Sequence, residues 1–253
     1  MTAPTLGTGA APSSARLRAQ TRMELLLTLR RGESVLLTFL IPVVLLAFFS
    51  TVDVLPTGEG DPIDFLFPGV LALAIMSTSL VSVAIATGFE RQTGVLKRLG
   101  STPLTRRDLL VSKTAAVVVI QVLQVVVLAL EGLVLGFRFD GPDLGLALVG
   151  AVLATVAFAG LGLLMAGTLP ALTTLAAANG VYLLLLLVGG MVIPLDKLPG
   201  PLAAVSKALP AGALAEVLHG ALGGGSVPAS ALGVLLVWAI VAPLLAARWF
   251  RWE

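Results

Sequence analysis

The sequence predicts an all-α membrane protein with six transmembrane helices. Of its 253 residues, 57% are hydrophobic and only 12% are charged, whereas a soluble domain usually carries about 25% charged residues. The mean hydropathy is +1.03. Six apolar stretches approach the roughly 20 residues that an α-helix needs to cross a bilayer. A fold surrounded entirely by water is therefore excluded.

Six spans form one transmembrane domain, residues 34–253, behind a leader of residues 1–33. The leader is polar and rich in arginine, so the first span is interpreted as retained and not as a cleaved signal peptide. Pro42 and Pro243 lie inside spans, where neighbouring groups can satisfy the carbonyl that each proline frees. The predicted spans are Val35–Val52, Phe65–Phe89, Thr114–Phe137, Leu144–Leu169, Leu172–Ile193 and Ala229–Ala247.

The basic residues predict the orientation. Of the 16 lysines and arginines, only Arg138, Lys197 and Lys207 lie in connections that an even number of spans places opposite the N-terminus. Basic connections stay on the cytoplasmic side, so we expect a bacterial cytoplasmic-membrane protein with both termini in the cytoplasm. The opposite side carries the acidic residues Asp53, Glu59, Asp61, Asp64, Asp140 and Asp143.

Three segments lie outside the spans. Thr2–Ser14 has the composition of a disordered start. Ala15–Arg31 mixes leucines with arginines, which favours a helix in the headgroup layer, although a solvated helical leader is the alternative. Pro194–Pro228 is broken by prolines and has apolar residues at three-to-four spacing, which predicts two short amphipathic helices on or in the outer leaflet.

The connection between spans two and three, Phe89–Lys113, is longer than a passive loop usually is. It predicts an amphipathic helix over Gln92–Gly100. Ser101 or Thr105 would then cap the next helix, with Asp108 completing a capping box. Two interpretations stay open: a rigid docking element for a soluble partner, or a long orientation signal.

Polar residues inside the spans are candidates for a route through the membrane. Their hydroxyl groups either face a wet path or bond their own helix and pack against neighbours. Glu131, well inside span three, is either a cation or proton site or a hydrogen-bonded structural carboxyl. His219 and Glu216 form either a pH-sensitive pair or a solvated interfacial group. The hydroxyl-bearing and amide residues are Ser77, Thr78, Ser79, Ser82, Thr87, Thr173, Thr174, Asn179 and Tyr182.

Several classes of protein are disfavoured. The absence of cysteine rules out disulfides and thiolate metal sites, and a single histidine argues against a histidine-based metal site. No cluster of acids, nucleophiles or metal ligands suggests an enzyme. The basic residues flank spans, which argues against nucleic-acid binding. No phosphate-loop pattern occurs, so we expect no ATP to bind through that motif.

The Phe89–Lys113 connection resembles the cytoplasmic segment after the second span of ABC-2 type transporter permeases. The end of span five, Gly189–Pro194, with Leu198-Pro199 and Leu209-Pro210, is similar to the outer-leaflet segment of that family. The chain looks most like the drug-exporter permeases of the daunorubicin-resistance type. It departs from the family at the short, uncharged Pro170–Thr174, which leaves a second docking element open. The residues that carry the first resemblance are Glu90, Arg91, Gly94, Leu96, Leu99, Thr102, Pro103, Arg106 and Lys113.

The resemblance implies one half of an ATP-driven exporter, paired with a second half; we expect the same chain there, and a different permease chain is the alternative. Each half would dock on a separate ATP-binding subunit, present in two copies, that binds ATP and Mg²⁺; this chain would bind no cofactor. We expect an amphipathic cargo (a drug, antibiotic or lipid) and hence a part in multidrug efflux and antibiotic resistance. The alternatives are an ion- or proton-coupled secondary transporter and a non-transporting scaffold.

The resemblance also assigns roles to residues. Spans two and five of both halves would line the export route, and membrane lipid would surround the assembly. The residues expected to couple to the ATP-binding subunit are Glu90, Arg91, Gly94, Leu96, Leu99, Pro103 and Arg106. The candidates for the substrate path are Ser77, Thr78, Ser79, Ser82, Asn179, Tyr182 and Glu131.

Overall fold

The computed structural model describes residues 12–30, 32–52, 61–139 and 143–251, and all regular structure in these ranges is helical. Asp53, Glu59, Asp140, Arg31 and the predicted disordered residues up to Ala11 lie outside the described residues, and α1 already begins at Ser13. The main helices are α1 (Ser13–Arg30), α2 (Gly32–Thr51), α3 (Pro62–Met76), α4 (Val83–Gln92), α5 (Val95–Gly100), α6 (Arg106–Val134), α7 (Leu144–Thr168), α8 (Ala171–Val188), α9 (Gly200–Ala208), α10 (Pro210–Leu222) and α11 (Ala229–Trp249).

Five helical segments of the described residues are long and apolar enough to cross a membrane. A π-helical turn, Ser77–Ser82, joins α3 and α4 into the first of them. The predicted first span corresponds to α2, whose 20 residues extend about 30 Å but whose strongly apolar part is the shorter Thr38–Thr51. The chain is therefore a polytopic all-α membrane protein, as predicted. The five segments are Pro62–Gln92, Arg107–Val134, Leu144–Thr168, Ala171–Val188 and Ala229–Trp249.

Two helix boundaries differ from those of the predicted apolar spans, each for a local reason. The third apolar span was predicted from Thr114, whereas α6 begins at Arg106, because Thr105 caps it as the predicted capping box requires. The Thr105 hydroxyl accepts from the Asp108 amide at 3.1 Å, and the Asp108 carboxylate accepts from the Thr105 amide at 3.1 Å. The fifth span was expected to continue to Ile193, but α8 ends at Val188. The chain turns at Gly190, whose φ of +71° suits glycine.

The segment before α11 forms the two predicted short helices, α9 and α10, which meet at an angle of 88°. α10 does not rest on the protein surface: most of its residues are buried, and it packs against α3 and α7. His219 joins α10 to α3, because its Nδ1 lies 2.8 Å from the Ala215 carbonyl and its Nε2 lies 3.0 Å from the Phe65 carbonyl. Glu216 pairs with Lys207 at 3.5 Å, so His219 fits neither alternative: it is held by backbone carbonyls, not by Glu216 and not by solvent.

The connections divide between two ends of the bundle. At one end, here called the basic end, the Lys113 side chain contacts α1 and the end of α4, and the Arg251 amide donates to the Gly167 carbonyl at 3.1 Å. At the opposite end, the Asp143 amide donates to the Ala221 carbonyl at 2.8 Å. Connections that the charge distribution assigns to one side thus lie together. Which end faces the cytoplasm stays a prediction.

The central helix is α7, which packs against α11 on one side and against α4 and the π turn on another. Small residues allow this close approach. A Cβ added at Gly160 would lie 2.6 Å from the Pro243 nitrogen, and one added at Gly162 would lie 2.7 Å from the Leu80 carbonyl oxygen. Backbones that approach this closely gain dispersion contacts, which matter in lipid because burial of apolar surface no longer drives helix association.

We predict that Gly162→Ala lowers the free energy of unfolding by about 1–3 kcal/mol, the usual cost of overpacking a filled interior. The matched control is Gly233→Ala in α11, where no atom lies within 4 Å of the added Cβ. Thermal unfolding of the detergent-purified protein measures both variants. Equal midpoints for the two would contradict the packing of α7 on the π turn.

Candidate functional site

A compact element projects from the basic end between α4 and α6. It comprises residues 93–105 and is here called the knob. The chain leaves α4 through Gly94, whose φ of +74° reverses its direction without the steric cost that a Cβ would add. The short helix α5 follows, and the Ser101 hydroxyl donates to the Arg98 carbonyl at 2.7 Å where α5 ends. The predicted helix over Gln92–Gly100 is thus two pieces, because Gln92 still belongs to α4.

The knob is anchored by an apolar cluster. Leu96 is fully buried among residues of α4, α6, α7 and the end of α11, with Leu99 and Leu104 partly buried at its edge. A side chain in that position cannot contact a partner, so Leu96 stabilises the knob from within. Val95, Lys97 and Arg98 are exposed on the outer face. The other buried members of this cluster are Val83, Leu109, Leu110, Leu163, Ala246 and Phe250.

Next to the knob, Lys113 lies between two carboxylates, forming what is here called the ion cluster. Its ammonium donates to Glu24 Oε2 at 2.8 Å and to Glu90 Oε2 at 2.6 Å. The three side chains are only 4%, 10% and 11% exposed, respectively. Because they belong to α6, α1 and α4, the ion cluster joins the leader helix to both sides of the knob.

Further polar contacts extend this junction. Gln20 donates to Glu24 Oε1 at 2.8 Å, and Arg16 pairs with Asp108 at 3.5 Å. On the other side, Arg91 Nη2 donates to the Leu169 carbonyl at 2.8 Å, which connects α4 to the turn between α7 and α8. That turn is only Leu169 and Pro170 long, so it contains no second docking helix.

Among the coupling residues predicted from sequence, the structure brings Glu90, Arg91, Gly94, Leu96 and Leu99 together at the knob and its base. Pro103 lies exposed in the turn before Thr105. Arg106 is the first residue of α6; its side chain lies outside the described residues. Their role in coupling stays a prediction.

A second group of polar side chains lies inside the bundle, here called the polar layer. The Thr78 hydroxyl donates to Gln124 Oε1 at 3.0 Å, and Gln124 Nε2 donates to the Thr38 carbonyl at 2.8 Å. Thr155 donates to Gln121 Oε1 at 2.6 Å, and Gln121 Nε2 donates to the Ile75 carbonyl at 3.1 Å. These bonds join α2, α3, the π turn, α6 and α7.

The predicted path residues do not converge on one site. Thr78 and Ser79 are buried in helix packing, and only Ser82 of the π turn is exposed, with Ser77 half-buried. Glu131 lies towards the opposite end, beside the backbone of Ala47 in α2, and its Oε2 is buried without a partner among the described residues.

Span five contributes two of the predicted path residues, both on α8. Asn179 is exposed on the outer face of α8 and donates to the Leu175 carbonyl of its own helix at 2.9 Å. Tyr182 packs half-buried against the core. Asn179 is thus exposed and Tyr182 is packed, on a helix that contacts the π turn, and a shared path for these residues stays a prediction.

Sequence reasoning missed Glu24, Gln121 and Gln124. The two glutamines are three residues apart in an apolar helix, so they share one face, and that pattern would have revealed the polar layer. Glu24 looked like one more charge in a solvated leader, and nothing in the sequence shows that it pairs with Lys113, 89 positions away. Within the described ranges, no three His, Asp or Glu side chains come close enough to hold a metal ion.

Comparison with known proteins identifies one family. A family model described as ABC-2 type transporter matches residues 16–222. This range contains most of α1 and continues through α10, so it includes the knob, the ion cluster and the polar layer. No curated protein matches the chain.

We predict that Lys113→Met lowers the free energy of unfolding by about 3–5 kcal/mol, because it leaves two buried carboxylates without their cation. The matched control is Lys207→Met. Its ion pair with Glu216 is 3.5 Å long and its side chain is 59% exposed, so the loss should be at most about 1 kcal/mol. Unfolding in detergent measures both, and similar losses would show that the ion cluster contributes little.

Proposed function

Because the chain belongs to the ABC-2 type transporter family, we propose that it is the permease subunit of an ATP-driven exporter. The knob supports this proposal. It is a rigid element that places Val95, Lys97 and Arg98 outside the bundle at its basic end. Its base is joined to α1, α4 and α6 through the ion cluster. A force applied to the knob by a soluble subunit would therefore reach three helices at once.

The soluble partner in this proposal is a separate ATP-binding subunit that holds ATP and Mg²⁺. The membrane is the bacterial cytoplasmic membrane, with the basic end and both termini in the cytoplasm, in agreement with the charge distribution. The cargo is an amphipathic small molecule such as a drug, an antibiotic or a lipid, moved outward. Activity of this kind would give multidrug efflux and antibiotic resistance.

The complete exporter in this proposal contains two copies of the chain and two ATP-binding subunits. α8 supports a second copy. Asn179 is exposed midway along this apolar helix, and a polar side chain at that depth gains more from a neighbouring helix than from lipid. Gly180 beside it has open space around it, which permits close approach of another helix.

Transport by the reconstituted complex tests the function. The chain is co-reconstituted with an ATP-binding subunit from the same genome, and efflux of rhodamine 6G from the proteoliposomes is followed. Nucleotide-dependent efflux that survives an uncoupler is expected. Efflux that requires a proton gradient and does not depend on ATP would favour a secondary transporter. The absence of efflux under both conditions would favour a scaffold.

Single cysteines test the orientation. Because the chain has no cysteine, Arg98→Cys and Arg138→Cys each introduce one label site without background; both positions are exposed. In intact cells lacking an outer-membrane barrier, a membrane-impermeant maleimide should label position 138. It should label position 98 only after permeabilisation. Labelling of position 98 in intact cells would overturn the proposed topology.

The outer face of the knob is the predicted docking surface. Val95→Asp combined with Arg98→Glu should lower retention of the ATP-binding subunit roughly tenfold or more, because interface anchors of this type typically contribute more than about 1 kcal/mol each. Membrane insertion and yield should not change. Arg138→Glu, at an exposed position of the opposite end, is the control. Unchanged retention by the double variant would place the docking surface elsewhere. Leu96→Asp is unsuitable as a test, because it would disrupt the core of the knob.

A further inference from the structure

A cavity of about 290 Å³ lies within the single chain at the basic end, bounded by α1, α2, the π turn with α4, and α6. Its polar lining consists of two members of the ion cluster, Glu24 and Lys113, and five hydroxyl-bearing residues: Thr28, Thr38, Thr78, Ser82 and Thr87. The remaining wall is mostly aliphatic. An apolar pocket with a few polar groups is the usual form of a small-molecule site, and this volume is near the lower end of the roughly 300–1,000 Å³ range of such sites.

Thr87 gives this cavity an unsatisfied polar group. The residue is fully buried, and its hydroxyl has no hydrogen-bond partner among the described residues. Threonines elsewhere in these helices donate to the carbonyl four residues earlier, as Thr93, Thr114 and Thr168 do. Leaving a buried hydroxyl unpaired is unfavourable, so a ligand that bonds Thr87 would remove that penalty.

The Glu24 carboxylate determines which head-group charge a ligand of this cavity can carry. Its oxygens take hydrogen bonds from Gln20 and Lys113, while a carboxylate offers about four acceptor positions. The Lys113 ammonium is already bound to two carboxylates. Lys113 is the one cation among the described lining residues, so an anionic head group would meet the Glu24 carboxylate with no second lining cation to balance it, whereas a hydroxyl or amine donor would find open acceptor positions.

We propose that this cavity binds an amphipathic molecule whose polar head carries hydroxyl or amine donors, with the head at Glu24 and Thr87 and the apolar body along the aliphatic wall. All of the lining residues that the structure describes belong to one chain. The binding site does not depend on the proposed function; only the interpretation of its ligand as exported cargo rests on that function. The other source of the ligand is a bilayer lipid with the same head-group chemistry.

Photolabelling tests the site. The full chain in phosphatidylcholine nanodiscs, without any ATP-binding subunit, is irradiated with a long-chain amino alcohol that carries a diazirine near its head. Labels are expected on the peptides around Ile85 and Val117, which line the cavity. Thr87→Val removes the hydroxyl at nearly constant shape. It should raise the probe concentration for half-maximal labelling about three- to tenfold, the range for one hydrogen bond. Thr168→Val, at an exposed helix end, should label like the wild type.

A filling variant gives a second measurement. Ala86→Phe places a ring in the cavity and should abolish labelling at both peptides, whereas Ala229→Phe, at an exposed position of α11, should not. If Ala86→Phe does not fold, the labelling of Thr87→Val alone tests the proposal. Wild-type labelling by Thr87→Val, or by a folded Ala86→Phe, would overturn the proposal.

Competition identifies the source of the ligand. Displacement of the label by rhodamine 6G supports the site as one for cargo, and displacement by phosphatidylethanolamine supports it as one for lipid. Labelling that neither compound displaces would indicate non-specific insertion and would overturn the proposal. Because no ATP-binding subunit is present, failure of the proposed exporter and failure of this site give separate results.

Discussion

Inside a bilayer no water is available, so polar groups at that depth depend on the protein for their hydrogen bonds. The polar layer meets this requirement. Gln124 accepts from Thr78 and donates to a carbonyl of α2, while Gln121 accepts from Thr155 and donates to a carbonyl of α3. Each glutamine therefore joins helices that lipid would otherwise separate at little cost, since lipid solvates their apolar faces equally well. The close packing of Gly162 on the π turn adds dispersion contacts to this group of helices, and Gly160 attaches α11 to it.

At the basic end, buried polar groups are satisfied by ion pairs instead of neutral hydrogen bonds. Lys113 pairs with both Glu24 and Glu90. Moving either carboxylate away from Lys113 would leave an unpaired charge in a low-dielectric environment, which is unfavourable. α1, α4 and the start of α6 should therefore move as one unit. Arg91 adds the turn between α7 and α8 to this unit. The leader helix, which in sequence looks like an appendage of the first span, is thus part of the element that receives any motion of the knob.

Periodicity, length and charge distribution predicted most of the fold, because span length and the sidedness of basic residues depend on local composition. The capping of α6 by Thr105 and Asp108 was likewise visible in the sequence. The inward direction of Leu96 and the pairing of Glu24 with Lys113 were not, because both depend on how distant helices pack. The seven candidate path residues were chosen by type alone, and packing separates them: Thr78 belongs to the polar layer, Glu131 lies beside α2 and Asn179 faces outward from α8.

Glu24 belongs both to the ion cluster and to the wall of the cavity, and this double position has a thermodynamic consequence. A ligand head that donates to Glu24 competes or cooperates with Lys113 for the same carboxylate, so its binding free energy depends on the position of Lys113 and hence of the knob. Coupling between two sites is reciprocal. If binding of a partner to the knob changes ligand affinity, ligand occupancy must change the affinity of the knob for that partner by the same factor. An exporter built this way would engage its ATP-binding subunit differently when loaded, without any direct contact between cargo and partner.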